Sequence, residues 1–167
     1  MPRSNYQIEQ ETPQDWWEVE ALFDLSFAPG REALSSYRLR DEIPPVETLC
    51  LVARDGDGIL SGAVRHWPVM VSGCEALLLG PIAVHPTRQG EGLAGQLIGR
   101  CLEIARDGAW ERIMLVGDLS YYARYGFGKL DGVVMPKPTN PDRVLGLELV
   151  EGAWKGLAGP VQRSKEL

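Results

Sequence analysis

Apolar positions recur along the chain at two periods, and each change of period marks a new element. Tyr6-Gln7-Ile8-Glu9 alternates weakly and reads as a first strand. Thr12-Pro13-Gln14-Asp15 follows as a helix start: Thr12 caps, Pro13 takes the first helical position, and Asp15 sits where a capping carboxylate belongs. Trp16, Val19, Phe23 and Phe27 then share one helical face, with Trp16 and Phe23 expected in the core. Pro29-Gly30 ends that helix. A shorter one, Arg31 to about Arg40, carries Leu34 and Tyr37 and stops before Pro44-Pro45.

The period shortens after that point. Thr48 to Ala53 is β-prone, Asp55-Gly56-Asp57-Gly58 is a strong turn, and Ile59 to Val71 returns as a long strand. Ser72-Gly73 turns the chain into Ala76 to Val84. Leu93, Leu97, Ile98, Cys101, Leu102 and Ala105 restore the helical spacing up to Asp107-Gly108. Ile113 to Val116 is a short buried strand, and Ser120 to Tyr125 suits a short helix ending at Gly126. In the Gly- and Pro-punctuated remainder, Leu145, Leu147 and Leu149 lie on one face of a late strand. The order β-α-α-β-β-β-α-β-α-β-β contains one strand–helix–strand crossover. It predicts an α+β fold: a mostly antiparallel sheet with one parallel pair.

Composition narrows the function. The 167 residues fit a single domain spanning 1–167, and 44% hydrophobic with 24% charged residues suits a globular chain with a proper core. A formal charge of −6 disfavours nucleic acid and anionic membrane as partners. Apolar runs such as Leu77-Leu78-Leu79 are strand-sized, and no apolar segment follows Met1-Pro2-Arg3-Ser4-Asn5. Cys50, Cys74 and Cys101 are scattered, which fits reduced thiols in a cytoplasmic protein. Neither His66 nor His85 belongs to a metal-ligand cluster, so no metal is expected.

The chemistry concentrates between Gly80 and Gly95, where a strand runs into a glycine-rich turn and then a helix. Backbone N–H groups at a helix start lack intrahelical partners, and the dipole adds positive potential, so a diphosphate fits there. Gly90-Glu91-Gly92-Leu93-Ala94-Gly95 spells G-x-G-x-x-G. The nicotinamide-binding fingerprint, however, sits directly at a strand end, whereas His85 to Gln89 intervene here. Gln96-Leu97 in place of Lys and Ser/Thr argues against a nucleotide P-loop. Gly80-Pro81 is the second clue, because proline inside a central strand removes a ladder donor. A strand that splays there leaves a V-shaped gap, and a ligand with its own amides can pair with Ile82, Ala83 and Val84 as an added strand. A diphosphate at one end and a peptide-like arm at the other describe coenzyme A.

At these residues the chain resembles the GNAT superfamily of acyl-CoA-dependent N-acetyltransferases. Gln89-Gly90-Glu91-Gly92-Leu93-Ala94 matches the family's (Q/R)-x-x-G-x-(G/A) loop at every defined position, and Asp118 to Phe127 is similar to its later helix and GF motif. The resemblance is strong from Leu77 to Phe127 and weaker from Leu145 to Trp154, where it suits small bacterial predicted N-acetyltransferases. It implies a GNAT-like sheet splayed at the cofactor site with helices on both faces. Acetyl-CoA is then the cosubstrate and a small-molecule or peptide amine the acceptor, with a homodimer as one arrangement. The implied cofactor contacts are Ile82, Ala83 and Val84 for the pantetheine arm, and Arg88, Gln89, Gly90, Glu91, Gly92, Leu93 and Ala94 for the diphosphate. Asp118 stands where many members carry Asn beside the cofactor.

The resemblance also implies direct attack of the amine on the thioester, with Tyr122, four residues before Gly126, as the acid for the departing thiolate and Tyr121 as its rival. Splayed-strand N–H groups can serve as an oxyanion hole. Leu77-Leu78-Leu79 offers no carboxylate as base; Glu75 and His66 are candidates acting through water, while His85 shapes its turn. Six acids, Glu9, Glu11, Asp15, Glu18, Glu20 and Asp24, face Arg3 alone early in the chain; they form a solvated helix face or a rim that attracts a cationic amine. Trp67 is a candidate wall of the acceptor pocket. With no base identified, a non-catalytic acyl-CoA sensor on the same fold is the alternative.

Overall fold

The computed structural model describes residues 5–27 and 35–164. The strands are β1 (Gln7–Gln10), β2 (Leu51–Arg54), β3 (Leu60–Val71), β4 (Cys74–Val84), β5 (Arg112–Val116), β6 (Gly128–Lys129), β7 (Val133–Val134), β8 (Val144–Glu148) and β9 (Gly159–Arg163). The helices are α1 (Trp16–Ser26), α2 (Leu93–Asp107) and α3 (Leu119–Tyr122). The sheet runs β1-β2-β3-β4-β5-β8-β6, with β9 beside the far end of β3 and β7 beside β9. β4 and β5 are parallel, joined through α2, and the sheet is otherwise antiparallel except for a two-residue β7–β9 contact.

The hairpin turn forms as its residues demand. Asp55 Oδ1 accepts from the N–H groups of Asp57 and Ile59, and Gly58 adopts φ +79°, which glycine alone reaches without strain. At the first helix, Asp15 Oδ2 accepts from both the N–H and the hydroxyl of Thr12, so the expected box exists, although it closes a 3-10 turn over Pro13–Asp15 ahead of α1.

Side chains on β4 alternate between two cores. Leu77 and Leu79 pack with Leu97, Ile98 and Cys101 of α2, while Ala76 and Leu78 face Val69, Met114 and Trp154. On that second face α1 contributes Val19, Leu22 and Phe23 against Val52, Ala63 and Ala83. Each fully buried aliphatic or aromatic side chain contributes about 1.5–3 kcal/mol. The helices thus cover both faces. Arg65 on central β3 is buried because Glu11 (2.8 and 3.0 Å) and Glu20 neutralise it, tying the first strand and helix to the sheet.

Several expectations change. Trp16, the first residue of α1, is 58% exposed, whereas Phe23 is buried as expected. The strand expected from Thr48 begins at Leu51, after a 3-10 turn over Glu47–Leu49. The helix expected over Arg31 to Arg40 is a 3-10 turn at Ser35–Leu39; its first half and the stop at Pro29-Gly30 lie outside the described residues. No helix among the described residues is long and apolar enough to cross a membrane.

Candidate active site

β4 leaves β5 where the proline requires it. The two pair only through Leu77↔Ile113 and Leu78↔Met114. Gly80 then takes φ +135°, and the β3–β4 register shifts between Val64 and His66 before pairing resumes at Ile82. β5 meanwhile continues to Val116 alongside β8. The result is the expected gap, bordered by Leu79 to Ile82 on one side and Leu115 to Gly117 on the other.

Two cavities meet there. The larger, about 590 Å³, is bordered by Ile82, Ala83 and Val84, by Arg88, Gln89, Gly90 and Gly92, and by Leu93 and Ala94 at the start of α2. Gly90 (φ +84°) and Gly92 (φ +79°) are left-handed, and no heavy atom lies within 4 Å of where either Cβ would stand. This open cradle puts the partnerless N–H groups of the first turn of α2 against solvent-sized space, which suits a diphosphate. Side chains brace the loop. Arg88 pairs with Asp55 at 2.5 Å, and Glu91 accepts from the Tyr6 hydroxyl at 2.5 Å. Glu91 therefore faces away from the cavity. His85 shapes the turn as expected, its Nδ1 accepting from the Thr87 N–H.

The smaller cavity, about 370 Å³, lies in the gap itself and includes Phe27, Tyr37, Leu78, Pro81, Leu115, Asp118 and Arg143. Asp118, expected beside the cofactor, lines this cavity and pairs with Arg143 at 3.4 Å. Ile82, Tyr121 and Tyr122 line both cavities.

The two tyrosines differ. The Tyr121 hydroxyl is held 2.8 Å from that of Tyr125, and burial together with this bond pushes its pKa well up. The Tyr122 ring packs edge-on against Phe127, with burial first among the causes that raise its phenol. Room for that ring comes from Gly117, where a Cβ would meet Tyr122 Cε2 at 2.6 Å.

Both candidate bases fall away. His66 is fully buried, bonded through Nδ1 to Leu49 O at 2.8 Å, and borders neither cavity. Burial lowers its pKa to about 4, so it is neutral at physiological pH. Glu75 is exposed at the start of β4, five residues before Gly80 and therefore roughly 17 Å away along the strand. The depressed His66 value carries a stability consequence. The unfolded chain takes up a proton near pH 6.5 that the folded one refuses until about pH 4, so stability falls as pH drops below 6.5. Denaturant unfolding at pH 5 should show a loss of about 2 kcal/mol relative to pH 7.5 that His66→Leu abolishes.

The early acids form no free rim. Asp15 and Glu18 pair with Arg54, and Glu11 and Glu20 with Arg65. Trp67 borders neither cavity at the gap; its indole donates to Ile43 O at 2.9 Å and lines a separate hollow with Trp16. Tyr37, Tyr125 and Arg143 were missed because nothing local distinguishes them: each reaches the site only through the tertiary path of its segment. Among the described residues no group of side chains is arranged to hold a metal ion.

Comparison with known proteins agrees with this geometry. The family described as "Acetyltransferase (GNAT) domain" matches residues 47–129, which span β2 to β6. The uncharacterized N-acetyltransferase YhbS of Escherichia coli K12 is 34% identical over 122 residues, 72% of each chain. The crystal structure of Escherichia coli YhbS in complex with CoA superposes with a TM-score of 0.84 at 28% identity, covering 98% of this chain and 92% of that one. A GNAT family acetyltransferase from Brucella melitensis in complex with acetyl-CoA gives 0.72 at 29% identity, covering 95% and 96%. With the open glycine cradle, the split sheet and a relative this similar, the chain belongs to the GNAT family of N-acetyltransferases.

Proposed function

We propose that this single-domain chain binds acetyl-CoA across the larger cavity and passes the acetyl group directly to a primary amine held in the smaller one. The carrying observation is that the two cavities meet at the split between β4 and β5 and share Ile82, Tyr121 and Tyr122. The open backbone at Gly90 and Gly92 fits the diphosphate, and the free edge of β4 at Ile82 to Val84 fits an amide-bearing arm. YhbS and the Brucella protein, crystallised with CoA and acetyl-CoA, support the same ligand here.

Acetyl-CoA supplies an activated thioester: the amine nitrogen bonds to the acetyl carbon, the C–S bond breaks, and the amine loses one proton while the thiolate gains one. The chain's part is to position and to handle charge. β4 N–H groups facing the gap stabilise negative charge gathering on the acetyl oxygen. Tyr122 keeps its phenolic proton through neutral pH, because burial raises its pKa, and delivers it to the sulfur. Among the described residues lining the two cavities, Asp118 is the one carboxylate, with Arg143 beside it, and there is no imidazole. The amine's proton therefore leaves through water.

Calorimetric titration with coenzyme A, followed by thiol release from acetyl-CoA over a panel of amines, tests this reading. Saturable heat and amine-dependent release are expected. Absence of heat with folded protein overturns it, and tight binding without consumption of acetyl-CoA by any amine returns the sensor alternative.

A further inference from the structure

The lining of the smaller cavity selects among amines, an inference that rests on the acetyl-CoA reading above. We propose that the acceptor is a monoamine with an aromatic or aliphatic body, and that polyamines and aminoglycosides are rejected. The walls are apolar: Phe27, Tyr37, Leu78, Pro81 and Leu115 surround about 370 Å³, a volume in the small-molecule range. Asp118 is the one acid among the described residues of this lining, and Arg143 stands 3.4 Å from it.

Positive charge also stands behind the wall. The Arg40 guanidinium is stacked between the Tyr37 and Trp67 rings, 3.8 Å from each centroid. A polycation entering the cavity would keep at least one ammonium charged after the reacting amine had shed its proton. That second charge would lose part of its water in an apolar lining whose one acid, Asp118, already has Arg143 beside it. An uncompensated charge taken out of water is strongly disfavoured. The acids of the first strand and helix do not relieve this, because Arg54 and Arg65 already hold four of them. A monoamine avoids the penalty, since its single nitrogen is neutral when it attacks, and its body exchanges water for Phe27 and Tyr37. Repulsion and apolar contact thus act in the same direction.

The experiment compares kcat/KM for phenethylamine and hexylamine with that for spermidine and kanamycin, using thiol release at saturating acetyl-CoA. A preference of at least roughly tenfold for the monoamines is expected, the scale at which pocket contacts discriminate. Arg143→Glu should narrow or reverse it by improving spermidine, because position 143 is exposed and the change converts a repulsive group into an attractive one. Gain of a substrate cannot result from misfolding. Spermidine or kanamycin used as well as the monoamines by the unaltered enzyme overturns the inference, as does turnover of neither monoamine by protein that binds coenzyme A. Loss of coenzyme A binding itself is a different result, detected by calorimetry, and sinks the underlying reading instead.

Discussion

Tyr122→Phe should lower kcat about 100-fold, the smaller end of what a positioned acid contributes, while coenzyme A affinity stays within about twofold. The modest size follows from the leaving group. An alkyl thiol, with a pKa of about 8.5, departs more easily than an alkoxide or an amine, so a proton helps without being indispensable. The substitution is clean because the ring's packing on Phe127 and beneath Gly117 does not involve the hydroxyl. Tyr121→Phe is the control: its hydroxyl is already committed to Tyr125, so turnover should change by less than about fivefold. Steady-state kinetics with a monoamine, alongside coenzyme A calorimetry for each variant, separates the two. Equal losses in both would mean that the tyrosines act as a packed unit and that no single proton donor exists.

Gly92→Val should weaken coenzyme A by at least about 100-fold, and it carries two effects, one on stability and one on binding. A β-branched residue at φ +79° strains the turn by about 1–2 kcal/mol. Its side chain also fills the space through which a diphosphate approaches the helix start, forfeiting charge-assisted hydrogen bonds of about 1.5–3 kcal/mol each. Strain and obstruction can be separated, because Gly73 has φ +78°, equally open surroundings, and lies in the turn at the opposite end of β4. Gly73→Val should therefore cost similar stability in a melting experiment yet leave the calorimetric affinity for coenzyme A unchanged. If both variants bind normally, the glycine loop is not the diphosphate cradle.

What was readable in advance was local. Gly90, Gly92 and Gly80-Pro81 announced themselves because backbone conformation and a missing donor are properties of a residue and its neighbours. The helix over Leu93–Asp107 was equally plain, since six buried positions repeat on one face. What stayed hidden depends on distant partners. Val133 and Val134 form a strand only because Gly159 and Pro160 lie beside them. Arg65 interrupts an apolar strand without explanation until Glu11 and Glu20 arrive from far earlier in the chain. His66 offered itself as a base because burial, which disables it, is not written in its neighbours. Trp16 fits an apolar helical face by spacing, but the first residue of a helix need not lie over the sheet.

The loop proposed as the diphosphate cradle is moored at both shoulders by groups remote in sequence: Tyr6, 85 positions before Glu91, and Asp55, 33 before Arg88. Tyr6 stands one residue ahead of β1, so the amino-terminal segment supports the loop although it borders neither cavity at the gap. On the proposed reading, whatever order a bound ligand lends the loop it shares with that tether, and loosening the tether weakens binding by the same factor.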